Sequence, residues 1–475
     1  MGSLKGYKSM AIMGTYIVLN VATPLEAAKH LTDSHHAILI TAAPHPLSVN
    51  LKHPDNMPTV NGNIDSPLAS RILSKDFYEP FMSQLSRRRI EDPIRALLPL
   101  EDRPGVISLL AGKPNAETFP ITAMQFTLRD PVTNEEVVVP LTEQELARGL
   151  QYGSSAGLPD LNDWLIGLQE HSHGRKRGEG WGLCFGTGSS DLIYKVCNAL
   201  LDPGDVAMIE APIDTPFQRG CTDVPQYRMY DDRGWRRCTW HRHEGSSRDA
   251  RKLAGGQAEA ESSVHCTDDP YYYLYFGDAP RPPSYFMLER DQPEVGRVIR
   301  FDSLSKVLSS GMRIGFLSAP QPILDAVVLH TITSNLQPPT ITMVLSLRLL
   351  KEWGYDKLRA HVDRVAQFYH AKRDVFERLM HKYLDGLAKW NTPEAGMFFW
   401  FKLNNLTDSE ALIRTKALEN GVLALPGTVC HPDARKTAYV RAAFSLLAEE
   451  QADEALRRLR DVIVAAQKEA VSASA

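Results

Sequence analysis

The texture of the chain changes near residue 77, and from there two periods of apolar spacing alternate. WGLCFGTGSSDLIYKVCNALLDPGD (181–205) reads as a strand, a Gly/Ser turn, an amphipathic helix and a Pro-Gly turn. VAMIEAP (206–212) is a short apolar run of buried-strand character, RVIRFDSLSK (297–306) repeats strand-then-turn, and RIGFLSAP (313–320) is a further strand. Helices are predicted at TEQELARGLQYG (142–153), with a Gly stop, and at LPDLNDWLIGLQEHS (158–172), with Pro159 near its start. Alternation of this kind argues for an α/β domain with a mostly parallel sheet, whose chemistry belongs at the carboxyl ends of strands.

Both flanks read differently. The tail predicts a long amphipathic helix at 357–384, strands at GMFFWFKL (396–403) and YVRAAFS (439–445), and a closing helix at 449–467, a smaller α+β unit. Upstream, 83–100 has helical spacing interrupted by Pro93, and GVISLLAGKPNAETFP (105–120) is a strand-like run closed by a turn. Residues 49–67 have the composition of a loop or a disordered segment.

Composition narrows the class. Of 475 residues, 43% are hydrophobic and 23% charged, which is ordinary for a globular protein of one large or two smaller domains. A net charge of −4 gives no reason to expect nucleic acid as a partner. The 6 cysteines show no regular framework, so reduced thiols and a cytoplasmic location are expected. A zinc site from Cys238, His241, His243 and Cys266 fits no standard spacing. No apolar run reaches the roughly 18 residues of a membrane helix.

Four motifs carry candidate chemistry. FDSLSKVLSSGMRIGF (301–316) sets Lys306 among small hydroxyl residues, with Ser303 before it and Arg313 after it. An amine so placed suits a covalent aldehyde cofactor, and Ser303, Ser305 and Arg313 suit its phosphate. Equally, Asp302 or Ser303 would serve as the N-cap of an ordinary helix. GTGSSD (186–191) offers backbone N–H groups and the Ser189 and Ser190 hydroxyls to an anion, or is a plain N-cap turn. TDDPYYYLYF (267–276) places Asp268 three residues before Tyr271, a carboxylate for a ring nitrogen and a phenol for a ring oxygen, or a turn before a core strand. Arg441 lies in an apolar strand and requires an anionic partner, whether a substrate carboxylate or an internal acid.

Taken together and in order, these motifs resemble the class I/II, fold-type I pyridoxal-phosphate aminotransferases, in their fungal aromatic amino-acid and aminoadipate/kynurenine branch. The carrying residues are ISLLAGKPN, LQYGSSAGLPDL, GTGSSD, LDPGD, DDPYYYLYF, SLSKVLSSGMRIGF, EAGMFFW and YVRAAFS. The resemblance implies pyridoxal 5'-phosphate as cofactor and a large domain built on a seven-stranded-type, mostly parallel sheet, with a smaller α+β domain. It implies an extension at 1–75, flexible by composition, an arm and part of the small domain at 76–120, the large domain at 121–335, and the small domain at 336–475. It makes Lys306 the Schiff-base lysine, Asp268 the partner of the pyridine nitrogen and Tyr271 that of the ring oxygen. Ser189, Ser190, Ser303 and Arg313 would bind the phosphate. Tyr152 would reach the phosphate of a neighbouring subunit, which implies a homodimer. Arg441 would take the substrate's α-carboxylate, and Gly112 would lie over the substrate. The implied reaction moves an amino group from an aromatic or similar large amino acid to a 2-oxo acid, with 2-oxoglutarate the expected acceptor.

One segment departs from the family. Between Gln218 and Cys266 there is no asparagine, although the family has an N-P-T-G-like turn whose asparagine bonds the cofactor. Arg242 stands in that position, with Gly245 matching, and Asp214 stands where an aromatic residue stacks on the ring. RGCTDVPQYRMYDDRGWRRCTWHRHEG (219–245) also lacks the apolar strand expected before the turn. A specialised divergence, an inactive copy and a local error in the encoded sequence each account for residues 218–266. A lyase or decarboxylase of the same fold would use the same lysine, aspartate and arginine, and a degenerate, non-catalytic homologue would use none of them.

Overall fold

A computed structural model describes residues 15–20, 69–97, 100–101, 103–110, 112–202, 205–210, 226–231, 234–239, 263–431 and 434–474. The strands in chain order are β1 (Thr15–Asn20), β2 (Gln125–Arg129), β3 (Glu136–Pro140), β4 (Gly182–Gly186), β5 (Val206–Glu210), β6 (Gln226–Asp231), β7 (Gly234–Thr239) and β8 (Ser263–Asp268). They continue with β9 (Val298–Ser303), β10 (Gly315–Ala319), β11 (Ala388–Trp390), β12 (Phe398–Leu403), β13 (Leu425–Pro426) and β14 (Tyr439–Ala443).

Eight of them form the main sheet, in the order β4-β10-β9-β8-β1-β5-β6-β7. Pairing directions put β4, β5, β6, β8 and β9 one way and β1, β7 and β10 the other. The runs read as strands in 181–205, 206–212, 297–306 and 313–320 are β4, β5, β9 and β10. All of β9 and β10 is buried, because both faces of the sheet are covered. Alternation sorts the side chains. Leu183, Phe185 and Phe316 pack with helices Pro159–His173 and Thr340–Leu384. Cys184, Phe301 and Leu317 pack on the other face with helices Ser189–Leu200 and Gln321–Ser334.

β1 departs from expectation. It comes from residues assigned to a flexible extension, yet it lies between β5 and β8, antiparallel to both. β5 and β8 point the same way, so without β1 the facing N–H and C=O groups of both strands would lose their partners. Its register sets Thr15 opposite Asp268 and Ile17 opposite both Cys266 and Ile209. The polar stretch 219–245, expected to lack a strand, contributes the β6–β7 edge hairpin. Arg242, Gly245 and Asp214 lie outside the described residues, as do His241 and His243 of the conceivable zinc set.

The second sheet has the order β11-β12-β14-β13 and packs Phe399, Phe401 and Val440 against Phe376, Leu456 and Ile463. The helix expected at 357–384 is the far part of Thr340–Leu384, which breaks at Gly354, where φ is 61°. Val106 to Leu109 is not a strand; Ile107 and Leu109 are 91% and 98% exposed. The described cysteines, Cys184, Cys197, Cys266 and Cys430, are buried, and Cys184 is pushed up to about 12 by burial. No helix among the described residues is long and apolar enough to cross a membrane.

If β1 holds the sheet centre, Ile17→Pro removes a ladder donor in an interior strand and leaves backbone groups unpaired, a loss of about 1–3 kcal/mol. Urea unfolding of the full chain should show it as a lower midpoint; an unchanged midpoint would place β1 outside the folded sheet.

Candidate functional site

The site lies at the carboxyl ends of β8 and β9, where a parallel pair delivers side chains to one edge. Asp268 is the last residue of β8, is buried, and pairs with Phe301. Beyond β9 the chain does not enter a helix. Residues 304–308 form a tight turn, with the N–H groups of Leu308 and Ser309 both donating to the Leu304 carbonyl. The N-cap reading of Asp302 or Ser303 is thereby corrected: Ser303 is a buried strand residue, and its hydroxyl accepts from the Ser305 N–H at 3.1 Å. That turn lifts Lys306, half-buried, toward Tyr271, with Nζ 5.4 Å from the ring centroid.

Aromatic contacts carry the line on to the second sheet. Tyr271 meets Phe398 edge-on at 6.3 Å, and the Arg441 guanidinium lies 4.4 Å from the Phe398 ring. Arg441 is half-buried rather than enclosed, opposite Trp400 in the ladder, and Trp400 stacks on Tyr439 at 5.1 Å. A line of contacts through Tyr271 and Phe398 therefore joins Lys306 to Arg441 on the second sheet.

An anion cradle adjoins the lysine. Helix Ser189–Leu200 begins after Gly188, which adopts φ 98° and leaves the first turn without a side-chain cap. Its exposed N–H groups and positive dipole end suit a phosphate. Arg313 closes the cradle, with Nη2 donating to the Thr187 carbonyl at 2.8 Å, and Nη1 to Ser305 Oγ at 3.2 Å and the Ser310 carbonyl at 3.1 Å. Its own backbone is left-handed at φ 55°, a strained setting for a non-glycine residue. Two glycines permit the closeness. A Cβ on Gly188 would stand 2.1 Å from Arg313 Nη2, and one on Gly315 would stand 2.5 Å from the Ser189 nitrogen. Ser189 is half-buried and Ser190 exposed at this helix start.

Among the described residues, two expected ones are not joined to that line of contacts. Tyr152 is exposed, and nothing lies within 4 Å of a Cβ built on Gly112. Their segments are tied to each other, since Gln151 Nε2 donates to the Pro114 carbonyl at 2.8 Å.

Sequence reasoning missed the polar group behind the site. Arg300 on β9 is fully buried, with Nε donating to Asp269 at 2.8 Å and Nη1 to Gln169 at 3.0 Å and to Asp302. Burial pushes the Asp302 carboxyl up, and the adjoining guanidinium draws it back. On Arg300 burial opposes the charge, yet Asp302 and Asp269 hold its pKa above the ordinary arginine value. The proton stays on Arg300. The arginine two residues before an aspartate in an apolar run was the available signal.

Comparisons with known proteins point to one family. Residues 258–459 match the family model described as aminotransferase class I and II. The chain is 38% identical over 419 residues to the aminotransferase tdiD of Emericella nidulans, covering 81% of this chain and 95% of that protein. It is 32% identical to the mitochondrial kynurenine/alpha-aminoadipate aminotransferase of Rattus norvegicus, covering 81% and 99%. Among solved structures, aminotransferase Aro8 from Candida albicans superposes with a TM-score of 0.68 at 19% identity, covering 81% of this chain and 97% of that one. LysN from Thermus thermophilus, an alpha-aminoadipate aminotransferase complexed with N-(5'-phosphopyridoxyl)-L-leucine, gives 0.57 at 24%, covering 82% and 98%.

The two glycines should separate under substitution. Gly315→Ala drives a Cβ into backbone and costs about 1–3 kcal/mol of stability. Gly188→Ala meets first the movable end of Arg313, so strain of about 1–3 kcal/mol at φ 98° and ψ 164°, a region that glycine alone adopts readily, leaves the fold intact. Its signature is loss of the thermal stabilisation that inorganic phosphate gives the parent. Equal phosphate stabilisation in Gly188→Ala and parent would remove this loop from the cradle.

Proposed function

This chain belongs to the class I and II aminotransferases, and we propose that it uses pyridoxal 5'-phosphate to move an amino group from an aromatic or similarly large amino acid to a 2-oxo acid such as 2-oxoglutarate. The observation that carries the reading is Lys306, raised on a turn beside Tyr271 and next to an uncapped helix start closed by Arg313. These residues fit the cofactor: an amine for its aldehyde, N–H groups and a guanidinium for its phosphate, a strand-end carboxylate for its ring nitrogen.

When bound, pyridoxal phosphate supplies an aldehyde for the amine and a ring that withdraws electrons from the amino acid's Cα. The chain's residues do the rest. Ser189, Ser190, Ser303 and Arg313 hold the phosphate and fix the ring's position. Asp268 keeps the ring nitrogen protonated, and Tyr271 donates to the ring oxygen. Lys306 Nζ carries a proton to and from the substrate's Cα. Arg441 pairs with the α-carboxylate, which puts the side chain beside Phe398, Trp400 and Tyr439. That aromatic wall supports a preference for large, flat side chains.

A homodimer completes the reading. Ile90, Ile107 and Leu109 on the arm are more than four-fifths exposed, apolar side chains that a second copy would cover, and Tyr152 stands exposed on the neighbouring segment.

Three measurements test this. Protein supplied with pyridoxal phosphate should show a visible absorption band that Lys306→Ala abolishes; a parent without the band would end the cofactor reading. Arg441→Ala should raise KM for amino and oxo acids alike, by about thirtyfold or more, since a lost carboxylate pair is worth about 2 kcal/mol at least. Assay of glutamate formed from 2-oxoglutarate, together with carbon dioxide released, separates transfer from decarboxylation. For the dimer, Leu109→Asp should halve the mass found by light scattering and weaken cofactor binding; a monomeric parent would remove Tyr152 from the site.

A further inference from the structure

A buried ion pair outside these residues lies directly behind the phosphate loop. Lys195, on helix Ser189–Leu200, is 1% exposed. Its Nζ donates to Asp191 Oδ2 at 3.0 Å and to Asn335 Oδ1 at 3.0 Å. Asp191 Oδ2 also accepts from the Thr187 N–H at 2.9 Å. Thr187 is the residue whose carbonyl takes Arg313, so the two faces of one peptide segment are held from opposite sides. The neighbouring His330 is pushed down to about 4 by burial, with the charges of Arg89 and Lys195 adding to it.

Asn335 opens the loop after helix Gln321–Ser334, and this loop is anchored on the other side. Leu336 is left-handed at φ 67°, and its carbonyl accepts from Ser155 Oγ at 2.6 Å. Gln337 Oε1 accepts from the Gly153 N–H at 2.7 Å, while its Nε2 donates to Thr340 Oγ1 at 2.8 Å. The loop thus joins the Tyr152 segment to the phosphate loop. A lysine that only filled space would be better replaced by an apolar chain, because a buried ammonium is costly unless it is paired.

We infer that Lys195 is a positioning residue for the cofactor phosphate: through Asp191 it fixes Thr187 and the 187–190 loop, and through Asn335 it ties that loop to the segment bearing Tyr152. The inference rests on the pyridoxal-phosphate reading and deepens it. Lys195 touches no phosphate itself; it sets where the helix N–H groups and Arg313 meet one.

The test compares the affinity of the full chain for pyridoxal phosphate with that for pyridoxal, which lacks the phosphate, by spectroscopic titration. Their ratio isolates the phosphate's share. In the parent the ratio is large. Lys195→Met should shrink it about tenfold or more, the worth of a charge-assisted hydrogen bond, while pyridoxal affinity stays level. Lys195→Arg should restore part of it. Asn335→Ala keeps the ion pair, should shrink the ratio severalfold, and decides the matter if Lys195→Met does not fold. A lower melting temperature with an unchanged ratio in these variants would make Lys195 structural only and overturn the inference. A parent that binds pyridoxal phosphate no better than pyridoxal would overturn the cofactor reading, and the inference with it.

Discussion

The guanidinium of Arg300 holds the geometry of the site together. It sits in the sheet interior on β9 and reaches Asp269 and Asp302 at once. Asp269 follows Asp268, and Asp302 precedes Ser303, so one buried cation fixes the two strand ends that carry the carboxylate and the lysine turn. Removing one member of such a group leaves an uncompensated buried charge, at about 3–5 kcal/mol. Exposed ion pairs, such as Arg457 with Glu454 on the closing helix, contribute far less, since water screens both partners. The Tyr272 ring, 5.1 Å from the Arg300 guanidinium, gives the cation a further polarisable neighbour.

Much of this was legible in the sequence where a local rule and the tertiary setting agree. β4 and β10 are near-continuous apolar runs because helices cover both faces of the sheet, and such runs announce themselves. The GTGSSD turn was legible because only glycine allows the approach that Gly188 makes to Arg313. The Lys306 segment was half legible: small hydroxyl residues after a strand spell a helix cap as readily as a turn, and the choice was settled by β10 returning alongside β9.

What stayed hidden depended on distant partners. Val106 to Leu109 is apolar enough for a strand but finds no ladder, so it lies exposed. Polar Gln226–Asp231 becomes a strand because β5 offers an edge. Lys195 looked like one charge on an amphipathic helix, and its burial follows from Asn335, 140 positions away. No periodicity within a short window encodes such a pairing.

β1 is the extreme case, and its direction has a physical reason. A strand between β5 and β8 that ran parallel to both would need long crossover connections at each side. Thr15–Asn20 enters instead from a remote part of the chain, and an antiparallel entry satisfies both edges equally well. Running in that direction, it starts at the end of the sheet where β8 finishes, with Thr15 opposite Asp268. The segment that departs from the family lies between β5 and β8, the same two strands that β1 joins. The Lys306 side of the site, built from β4, β9 and β10, is separated from the β6–β7 hairpin of that segment by β8, β1 and β5. Asp268 therefore stands at a boundary: its β9 side is held by Phe301 and the Arg300 group, and its other side by β1. The strength of the β1 ladder thereby bears directly on how firmly the Asp268 carboxylate is held.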